Sequence, residues 1–264
     1  MKKLTFFLLI LLISSTETYS KVSLPEDIYF HVYRNGSKIG YHKIDFYLNT
    51  DENKSYLIKA NIEISFDVKF LGFSIYNYKH SNDETWKVAP HETMVKVCEK
   101  CNNLNILQEL NSVTNKNGSE IFCNIKVNFD GNVNSLKAKG SHNNNSEISH
   151  IYTLPSSYWD YRLVTGDYNK KNLIINGKNL IKEKTVFNSQ DCSKINFKIK
   201  SLGKDKIYNG LLNVNKYKIE GKESTGEDID IDIWYDDLGN WVKMIFIKDG
   251  SEIEYFLDTY HEKK

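Results

Sequence analysis

The sequence predicts an all-β protein built on a strongly curved antiparallel sheet, either an open or a partly closed β-barrel. Three observations predict this fold. Apolar and polar residues alternate from Ser55 to Phe70, and a period of two is typical of a strand with one buried face. Turn signals such as Asn35-Gly36 separate other alternating segments. The chain contains 17 Tyr and 13 Phe but only 3 Pro, a composition that suits pleated strands.

The segment from Ser55 to Phe70 is long for a strand. At about 3.3 Å per residue it would span roughly 50 Å, whereas the usual strand has about 5–6 residues. Strands of this length twist and coil, so we expect the sheet to wrap around its apolar face.

The first 20 residues have the pattern of a secretory signal peptide. Lys2 and Lys3 precede an apolar run from Leu4 to Ile13, and a short polar tail places a possible cleavage point near Ser20. The apolar run is too short to span a membrane, and no later stretch is apolar enough to do so as a helix. We therefore expect residues 21–264 to form a single β domain in the periplasm or outside the cell.

The overall charge argues against nucleic acid as a partner. The chain has 35 basic and 34 acidic residues, a net charge of +1, and no basic block. Proteins that bind nucleic acid typically carry a basic patch or stripe.

Short alternating segments joined by polar turns predict further strands along the chain. They lie at 28–33, 38–48, 73–86, 121–129, 148–154, 195–200, 206–209, 213–220, 228–235, 241–247 and 252–257, and residues 174–181 flank a turn at Asn176-Gly177. Residues 87–111 show no clear period and are expected to form an extended loop or an elongated hairpin, and residues 140–146 form a polar loop. About ten to twelve strands joined by short turns are typical of a meander, sandwich or barrel.

The best candidate for a helix is the segment after Leu154. Ser156 can cap the N-terminus of a short helix and Gly166 can end it. We expect its aromatic residues to plug one end of the sheet. Trp86, Trp159, Trp234 and Trp241 are interpreted as core aromatics, some of which could line a ligand cavity.

The chain has four cysteines, Cys98, Cys101, Cys123 and Cys192. In an exported protein the first expectation is disulfide bonding, with three possible connectivities. The Cys98-Glu-Lys-Cys101 spacing would also suit a redox pair or half of a zinc site. However, no βαβ pattern surrounds it, and no second closely spaced cysteine pair exists to complete a zinc site.

Two other groups of residues resemble functional motifs. Asp228, Asp230 and Asp232 suggest a calcium loop, but the glycine and glutamate that an EF-hand requires are replaced by Ile233 and Gly239. The alternation predicts instead an acidic outer face of a strand, which Lys216 and Lys218 of a neighbouring strand would pair. The seven histidines show no metal-binding spacing, so we predict neither a metal site nor a cofactor.

A serine hydrolase would need a nucleophile and a base, for which Ser156, Ser157 and His150 are the candidates. No G-x-S-x-G elbow surrounds the serines, which follow a proline at an expected helix start. We therefore predict no catalytic residues.

An outer-membrane barrel is a further alternative, disfavoured by Glu252 and Glu254 on the closing strand.

Three patterns together resemble a known family. They are the opening hairpin with Asn35-Gly36 and Ile39-Gly40, the run LPSSYW at 154–159, and the closing segment WYDDLGNWVKMIFIKDGSEIEYFL at 234–257. The chain resembles domain of unknown function 6134, an uncharacterised family of exported bacterial proteins. The resemblance implies a curved sheet, similar to lipoprotein-carrier folds that close over an apolar cavity. The segment from Pro90 to Asn103 looks like a local addition to that pattern.

These observations lead to three functional hypotheses. The first is a non-enzymatic protein that binds an apolar ligand, possibly a lipid, on the concave face of the sheet. The second is a structural or assembly factor that binds another envelope protein through the edges of the sheet. The third is a hydrolase. The sequence names neither the ligand nor a protein partner.

Overall fold

In the computed structural model, one antiparallel sheet contains all fourteen strands of the described residues. The described residues are 24–52, 55–88, 105–128, 137–142, 154–165, 172–175, 179–223 and 225–263. The strands are β1 (Ile28–Arg34), β2 (Ser37–Thr50), β3 (Tyr56–Phe70), β4 (Phe73–Val88), β5 (Asn105–Lys116), β6 (Ser119–Asn128), β7 (Lys137–His142), β8 (Asn172–Ile175), β9 (Asn179–Phe187), β10 (Lys194–Ile207), β11 (Leu212–Lys222), β12 (Asp228–Asp236), β13 (Trp241–Lys248) and β14 (Ser251–Leu257). The helices are α1 (Arg162–Thr165) and a 3₁₀-helix (Asp258–Lys263).

The strand order shows two meanders that meet in the middle of the sheet. It runs β7-β6-β5-β4-β3-β2-β1-β14-β13-β12-β11-β10-β9-β8. The first and last strands pair directly, with His31 opposite Phe256. The predicted all-β fold, with one short α-helix, is confirmed.

The sheet is open in its hydrogen bonding, but its two halves touch through side chains. Cys123 of β6 and Cys192 of the β9–β10 turn form a disulfide with 5.3 Å between their Cα atoms. The hydroxyl of Thr114 on β5 donates to the Gln190 carbonyl at 3.3 Å, and Ser112 donates to the Ser189 carbonyl. The sheet is therefore rolled into a partly closed barrel. We call this row of contacts between β5, β6 and the β9–β10 turn the seam.

The turns explain how such long strands reverse within two residues. Asn35 and Gly36 have φ angles of 46° and 79°, as a type I′ hairpin requires. Leu71 and Gly72, at 50° and 86°, do the same between β3 and β4. Glycine is needed at Gly40 for a different reason, because a Cβ there would lie 1.8 Å from the backbone oxygen of Ser65.

The main hydrophobic core lies inside the roll and draws on both meanders. Phe30, Trp86, Leu110, Phe197 and Trp241 are among its fully buried members. A second, smaller cluster on the outer face contains Tyr33, Ile207, Tyr208, Val214, Trp234, Val242 and Phe256. The C-terminal 3₁₀-helix packs on this second cluster, where Tyr260 stacks on Tyr208 at 4.4 Å between ring centroids.

Residues 154–165, which we call the plug, close one end of the roll. Trp159 makes edge-to-face contacts with Phe46 at 5.0 Å and with Trp86 at 5.5 Å. The hydroxyls of Tyr161 and Tyr217 are 2.8 Å apart, and the Tyr235 hydroxyl donates to the carbonyl of Tyr158 at 2.7 Å. The aromatic residues of this segment thus occupy the interior, as expected.

The helix itself begins later than predicted. Ser156 does not cap it, because the Ser156 hydroxyl instead accepts from the backbone N–H of Ser189 at 3.2 Å. Asp160 accepts from the N–H of Arg162 at 3.0 Å, so the helix starts at Arg162. The parallel bridge between Pro155 and Phe187 holds the preceding residues extended.

Two of the strand and loop predictions need correction, and a third had left two alternatives open. The segments predicted at 195–200 and 206–209 form one strand, β10, because Gly203 lies in a bulge with a φ of 91° and does not end the strand. For residues 87–111 the elongated hairpin is the alternative that the structure supports, because Val88 at the end of β4 pairs with Asn105 at the start of β5. The predicted polar loop at 140–146 overlaps β7. The strand predicted at 148–154 lies almost entirely outside the described residues.

Candidate functional site

The interior of the roll contains a cavity with a volume of about 550 Å³. This volume falls within the range of about 300–1,000 Å³ that is usual for small-molecule sites. Its lining includes residues at the β1–β2, β3–β4, β5–β6, β11–β12 and β13–β14 turns, such as Arg34, Tyr76, Lys116, Thr225 and Asp249. Alternate turns of an antiparallel meander lie at the same end, so the cavity opens there. The plug lies below it.

Most of the wall is apolar. The apolar lining comes from β2, β3, β10, β12, β13 and β14 and consists of Ile39, Ile44, Ile62, Ile64, Phe66, Val68, Ile195, Ile229, Ile231, Met244, Phe246, Ile247 and Ile253. On β3 these residues are alternate members of the pattern that predicted the long strand. The apolar face of β3 is thus a wall of the cavity as well as part of the core.

One stretch of the wall is polar and comes from β4. Tyr76, Tyr78, His80 and Asn82 line the cavity, and the alternation continues into the buried interior with Glu84 and Trp86. We call these six residues the β4 ladder. Strand pairing places ladder residues opposite apolar residues of β3, with His80 facing Ile64 and Asn82 facing Ile62. Ile64 in turn faces His42 of β2. A polar strip therefore runs along an apolar cavity, with His42 two strands away.

Four buried polar atoms in this region have no hydrogen-bond partner among the described residues. They are Nδ1 and Nε2 of His42, the hydroxyl oxygen of Tyr78 and Oδ1 of Asn82. All three residues line the cavity, and each side chain is at least nine-tenths buried. By contrast, Nδ1 of the neighbouring His80 lies 2.9 Å from the Thr114 hydroxyl.

Burial keeps both histidines neutral. Desolvation, together with the nearby His80, lowers the pKa of His42 to about 3. Desolvation also lowers the pKa of His80 to about 4, with Lys116 as a second cause. A neutral imidazole offers one donor and one acceptor, so His42 presents one of each. Burial also raises the pKa of Tyr78, so that its phenol remains protonated.

Glu84 closes the deep end of the ladder. Its carboxyl oxygens accept from the Asn82 amide at 2.8 Å, from the Trp86 indole at 2.9 Å and from the Trp159 indole at 3.2 Å. The Ser157 hydroxyl also donates to it. Burial raises the Glu84 pKa, and the four donors partly oppose that effect. Glu84 therefore ties β4 to the plug.

Charged side chains at the open end have both signs. Arg34, Lys116 and Lys248 lie there with acidic residues such as Glu223 and Glu227, and Lys248 pairs with Glu227. The rim therefore has no uniform potential that would select ligands of one charge.

The residues considered for hydrolysis do not form a nucleophile and base. The Ser157 hydroxyl donates to Glu84, a carboxyl that three other donors also contact. The Ser156 hydroxyl lies 3.5 Å from that of Ser189. His150 lies outside the described residues. In the part of the chain that the structure describes, neither serine hydroxyl is hydrogen-bonded to a histidine.

The aspartates of β12 pair with lysines of β11, as predicted. Lys216 lies 2.8 Å from Asp232, and Lys218 contacts both Asp230 and Asp232. Lys222 similarly lies 2.6 Å from Asp228. This strip is a charged outer face.

Of the four cysteine candidates, the structure describes two, and these form the disulfide of the seam. Cys98 and Cys101 lie outside the described residues. Among the residues that are described, no group of three or more His, Cys, Asp or Glu side chains is arranged to hold a metal ion. Nor does any helix within them have the length and apolar character to cross a membrane.

The family comparison agrees with the resemblance noted in the sequence. The model of domain of unknown function DUF6134 matches residues 30–258. The chain belongs to this family. No functionally curated protein matches the chain. The match to the DUF6134 family covers β1 to β14, so it includes every strand that lines the cavity.

A solved structure supports the architecture. The chain is similar to the crystal structure of a β-barrel-like protein of domain of unknown function DUF1849 from Brucella abortus, with a TM-score of 0.53 and 10% identity. The match covers 89% of this chain and 95% of that one. At this identity the likeness concerns the fold alone.

Sequence reasoning missed the residues that distinguish this cavity. The sequence predicts a strand at 73–86, but the polar residues His80, Asn82 and Glu84 that alternate along it are not among the candidate site residues. His42 gave no signal of its own. The pattern that could have revealed the ladder is a polar face on a strand that lies next to the strongly apolar β3.

Proposed function

We propose that this DUF6134 protein is an exported, non-enzymatic binding protein that holds an apolar small molecule, such as a lipid, inside the rolled sheet. The observation that carries the proposal is the cavity of about 550 Å³ with its apolar wall. Export is supported by the signal-peptide pattern of residues 1–20. The family and the structural neighbour support the fold and leave the ligand open.

A cavity of this kind favours binding for a physical reason. Burying apolar surface contributes roughly 25 cal/mol per Å², and a preformed site avoids much of the entropy cost of ordering loops around the ligand. The seam holds the walls together through a disulfide and the plug fills the opposite end. The site is thus pre-organised and opens at one end.

Binding of a neutral, apolar fluorophore tests the proposal. We expect 1-N-phenylnaphthylamine to bind the mature protein with one-to-one stoichiometry and increased emission. Ile64→Trp should abolish this binding, because Ile64 lies at the middle of the cavity wall. Glu63→Trp is the matched control, because the neighbouring Glu63 is exposed. If Ile64→Trp fails to fold, Val68→Phe fills the cavity nearer its mouth.

Two outcomes would contradict the proposal. Equal fluorophore binding by wild type, Ile64→Trp and Glu63→Trp would place the probe outside the cavity. If folded wild-type protein does not bind the fluorophore, the proposal that the cavity binds apolar ligands is wrong.

The second candidate is an assembly factor that binds another envelope protein. It is favoured by the open sheet, since β7 and β8 each pair on one side only among the described strands. Such edges can accept a strand from a partner. Replacing Lys139 of β7 with proline should abolish that kind of complex and leave fluorophore binding unchanged.

A further inference from the structure

The three residues with unpartnered polar atoms lie on successive rows of the sheet. Strand register places Tyr78 opposite Phe66, His80 opposite Ile64 and Asn82 opposite Ile62. His42 lies on the row of His80, across Ile64. Along β4, Tyr78 and Asn82 are four residues apart, or roughly 13 Å. The residues with unpartnered atoms therefore run along the cavity from Asn82, through the row of His42, to Tyr78, which pairs with Lys116 nearer the mouth.

Leaving such atoms without partners is unfavourable. A buried donor or acceptor that lacks a partner costs about 1–3 kcal/mol. The neighbouring polar groups are satisfied, since Glu84 has four donors and His80 contacts Thr114. Within the described lining of the cavity, the free hydrogen-bonding capacity thus lies where a ligand would lie, which is a common arrangement in small-molecule sites.

We propose that the cavity recognises an amphipathic molecule whose polar end is uncharged and both donates and accepts hydrogen bonds, with a long-chain alcohol as the simplest example. The inference rests on the proposed function and specifies its ligand class. His42 supplies one donor and one acceptor, Tyr78 supplies a hydroxyl, and Asn82 supplies an acceptor oxygen. A hydroxyl can meet both kinds of partner, while the alkyl chain contacts the isoleucines of β2 and β3.

The charges around this position explain why the polar end is uncharged. Among the described lining residues, the cations Arg34, Lys116 and Lys248 lie at strand ends, near the mouth. The carboxyl of Glu84 lies at the deep end of the ladder. A carboxylate placed beside His42 and Asn82 would lose its hydration without gaining a cation. A buried ammonium group would face neutral histidines.

Lys116 would suit the opposite arrangement, in which the polar end of the ligand lies at the mouth of the cavity and carries a negative charge. Its ammonium lies 6.0 Å from the centre of the Tyr78 ring, at the exposed end of β5. A fatty acid could place its carboxylate at this lysine with its tail directed inwards. That mode would leave the atoms of His42 and Asn82 without partners, so it uses less of the site than an alcohol does.

Competition with the bound fluorophore tests the inference. The competitors are dodecanol, its methyl ether and dodecanoate at pH 7.5, which share a chain and differ at the polar end. We expect dodecanol to displace the fluorophore with at least 5-fold higher affinity than either of the other two. One lost neutral hydrogen bond of about 1 kcal/mol corresponds to a factor of about 5.

Two variants locate the effect. Tyr78→Phe and His42→Phe should each weaken dodecanol binding about 5-fold or more and should weaken the methyl ether less, because the ether oxygen can accept a hydrogen bond but cannot donate one. Tyr208→Phe is the control, because its hydroxyl donates to Val242 and accepts from Leu257 within the outer cluster. It should leave all affinities unchanged. Tyr78→Phe should melt no lower than wild type, since its hydroxyl has no partner to lose.

Three other outcomes of the competition experiment would overturn the inference, and one of them would also overturn the proposed function. Equal affinities for the alcohol and the ether, with fluorophore binding intact, would overturn the inference and leave the proposed function standing. Tighter binding of dodecanoate, lost in Lys116→Met, would place the polar end at the mouth and also overturn it. If neither the fluorophore nor any competitor binds, both the inference and the proposed function fail.

Discussion

Removing the seam disulfide is the perturbation whose size follows most directly from the structure. Cys123 and Cys192 are 69 residues apart in sequence, and they join β6 to the β9–β10 turn. In the chain-entropy treatment, a cross-link closing a loop of this length stabilises the folded state by about 4 kcal/mol. That is a large part of the usual stability of about 5–15 kcal/mol.

We therefore expect the double variant Cys123→Ala, Cys192→Ala to lose about 4 kcal/mol of unfolding free energy. Urea unfolding monitored by tryptophan fluorescence measures it, since Trp86 and Trp241 are fully buried. Wild-type protein after reduction should match the double variant. Lys126→Ala, at an exposed position of β6, is the control and should change stability by less than about 0.5 kcal/mol.

A loss below about 1 kcal/mol in the double variant would refute this reasoning. It would mean that the hydroxyl contacts of Ser112 and Thr114 hold the seam without the covalent bond, or that the unfolded chain is already compact. Fluorophore binding provides a second readout. If the seam holds the cavity walls together, the double variant should bind more weakly at urea concentrations where it is still folded.

Other predictions concern the ladder, the plug and a close strand contact. Glu84→Leu should cost about 3 kcal/mol or more by urea unfolding, because four buried donors lose their acceptor, and stability equal to wild type would contradict this. Trp159→Ala should cost about 3–5 kcal/mol and increase fluorophore uptake by enlarging the cavity floor; an unchanged midpoint would show that the plug is not packed. His42 and His80 have folded pKa values of about 3 and 4, below about 6.5 in the unfolded chain, so unfolding takes up protons. Stability should fall as the pH drops from about 6.5 towards 4, by about 1.4 kcal/mol per pH unit for each histidine. The raised pKa of Glu84 acts in the opposite sense just above pH 4.5. In urea titrations at a series of pH values, His42→Phe should reduce the slope of unfolding free energy against pH by the share of one histidine. An unchanged slope would refute the lowered pKa of His42. Gly40→Ala should destabilise the protein strongly, because its Cβ would meet the backbone of β3, and a wild-type melting temperature would contradict that contact.

The architecture could be predicted from the sequence because period-two alternation directly reports which side of a strand is buried. The segments around Tyr56 to Phe70 and Asp228 to Asp236 have one apolar face each, and the structure buries most of those faces. The predictions were wrong where a local signal had two meanings. The sequence predicts separate strands at 195–200 and 206–209, whereas Gly203 between them lies in a bulge within one continuous strand. A left-handed glycine serves either purpose, and pairing with a neighbouring strand decides which.

The site was harder to predict for a physical reason. Both faces of β4 carry polar residues, so alternation shows that Tyr78 and Asn82 share a face without showing that this face is internal. That depends on the pairing of β4 with β3, whose apolar face fixes the orientation of the whole sheet. The isolated His42 joins the site only through the register of β2. Likewise, four cysteines allow three connectivities, and the rolling of the sheet selects Cys192 as the partner of Cys123.

The most direct test of a ligand-binding cavity is native mass spectrometry of the protein purified from the cells that produce it, followed by organic extraction. We predict a stoichiometric adduct of an uncharged amphipathic molecule, which Ile64→Trp loses and Glu63→Trp retains. A clean unliganded mass for wild type, together with no binding of 1-N-phenylnaphthylamine, would contradict the account.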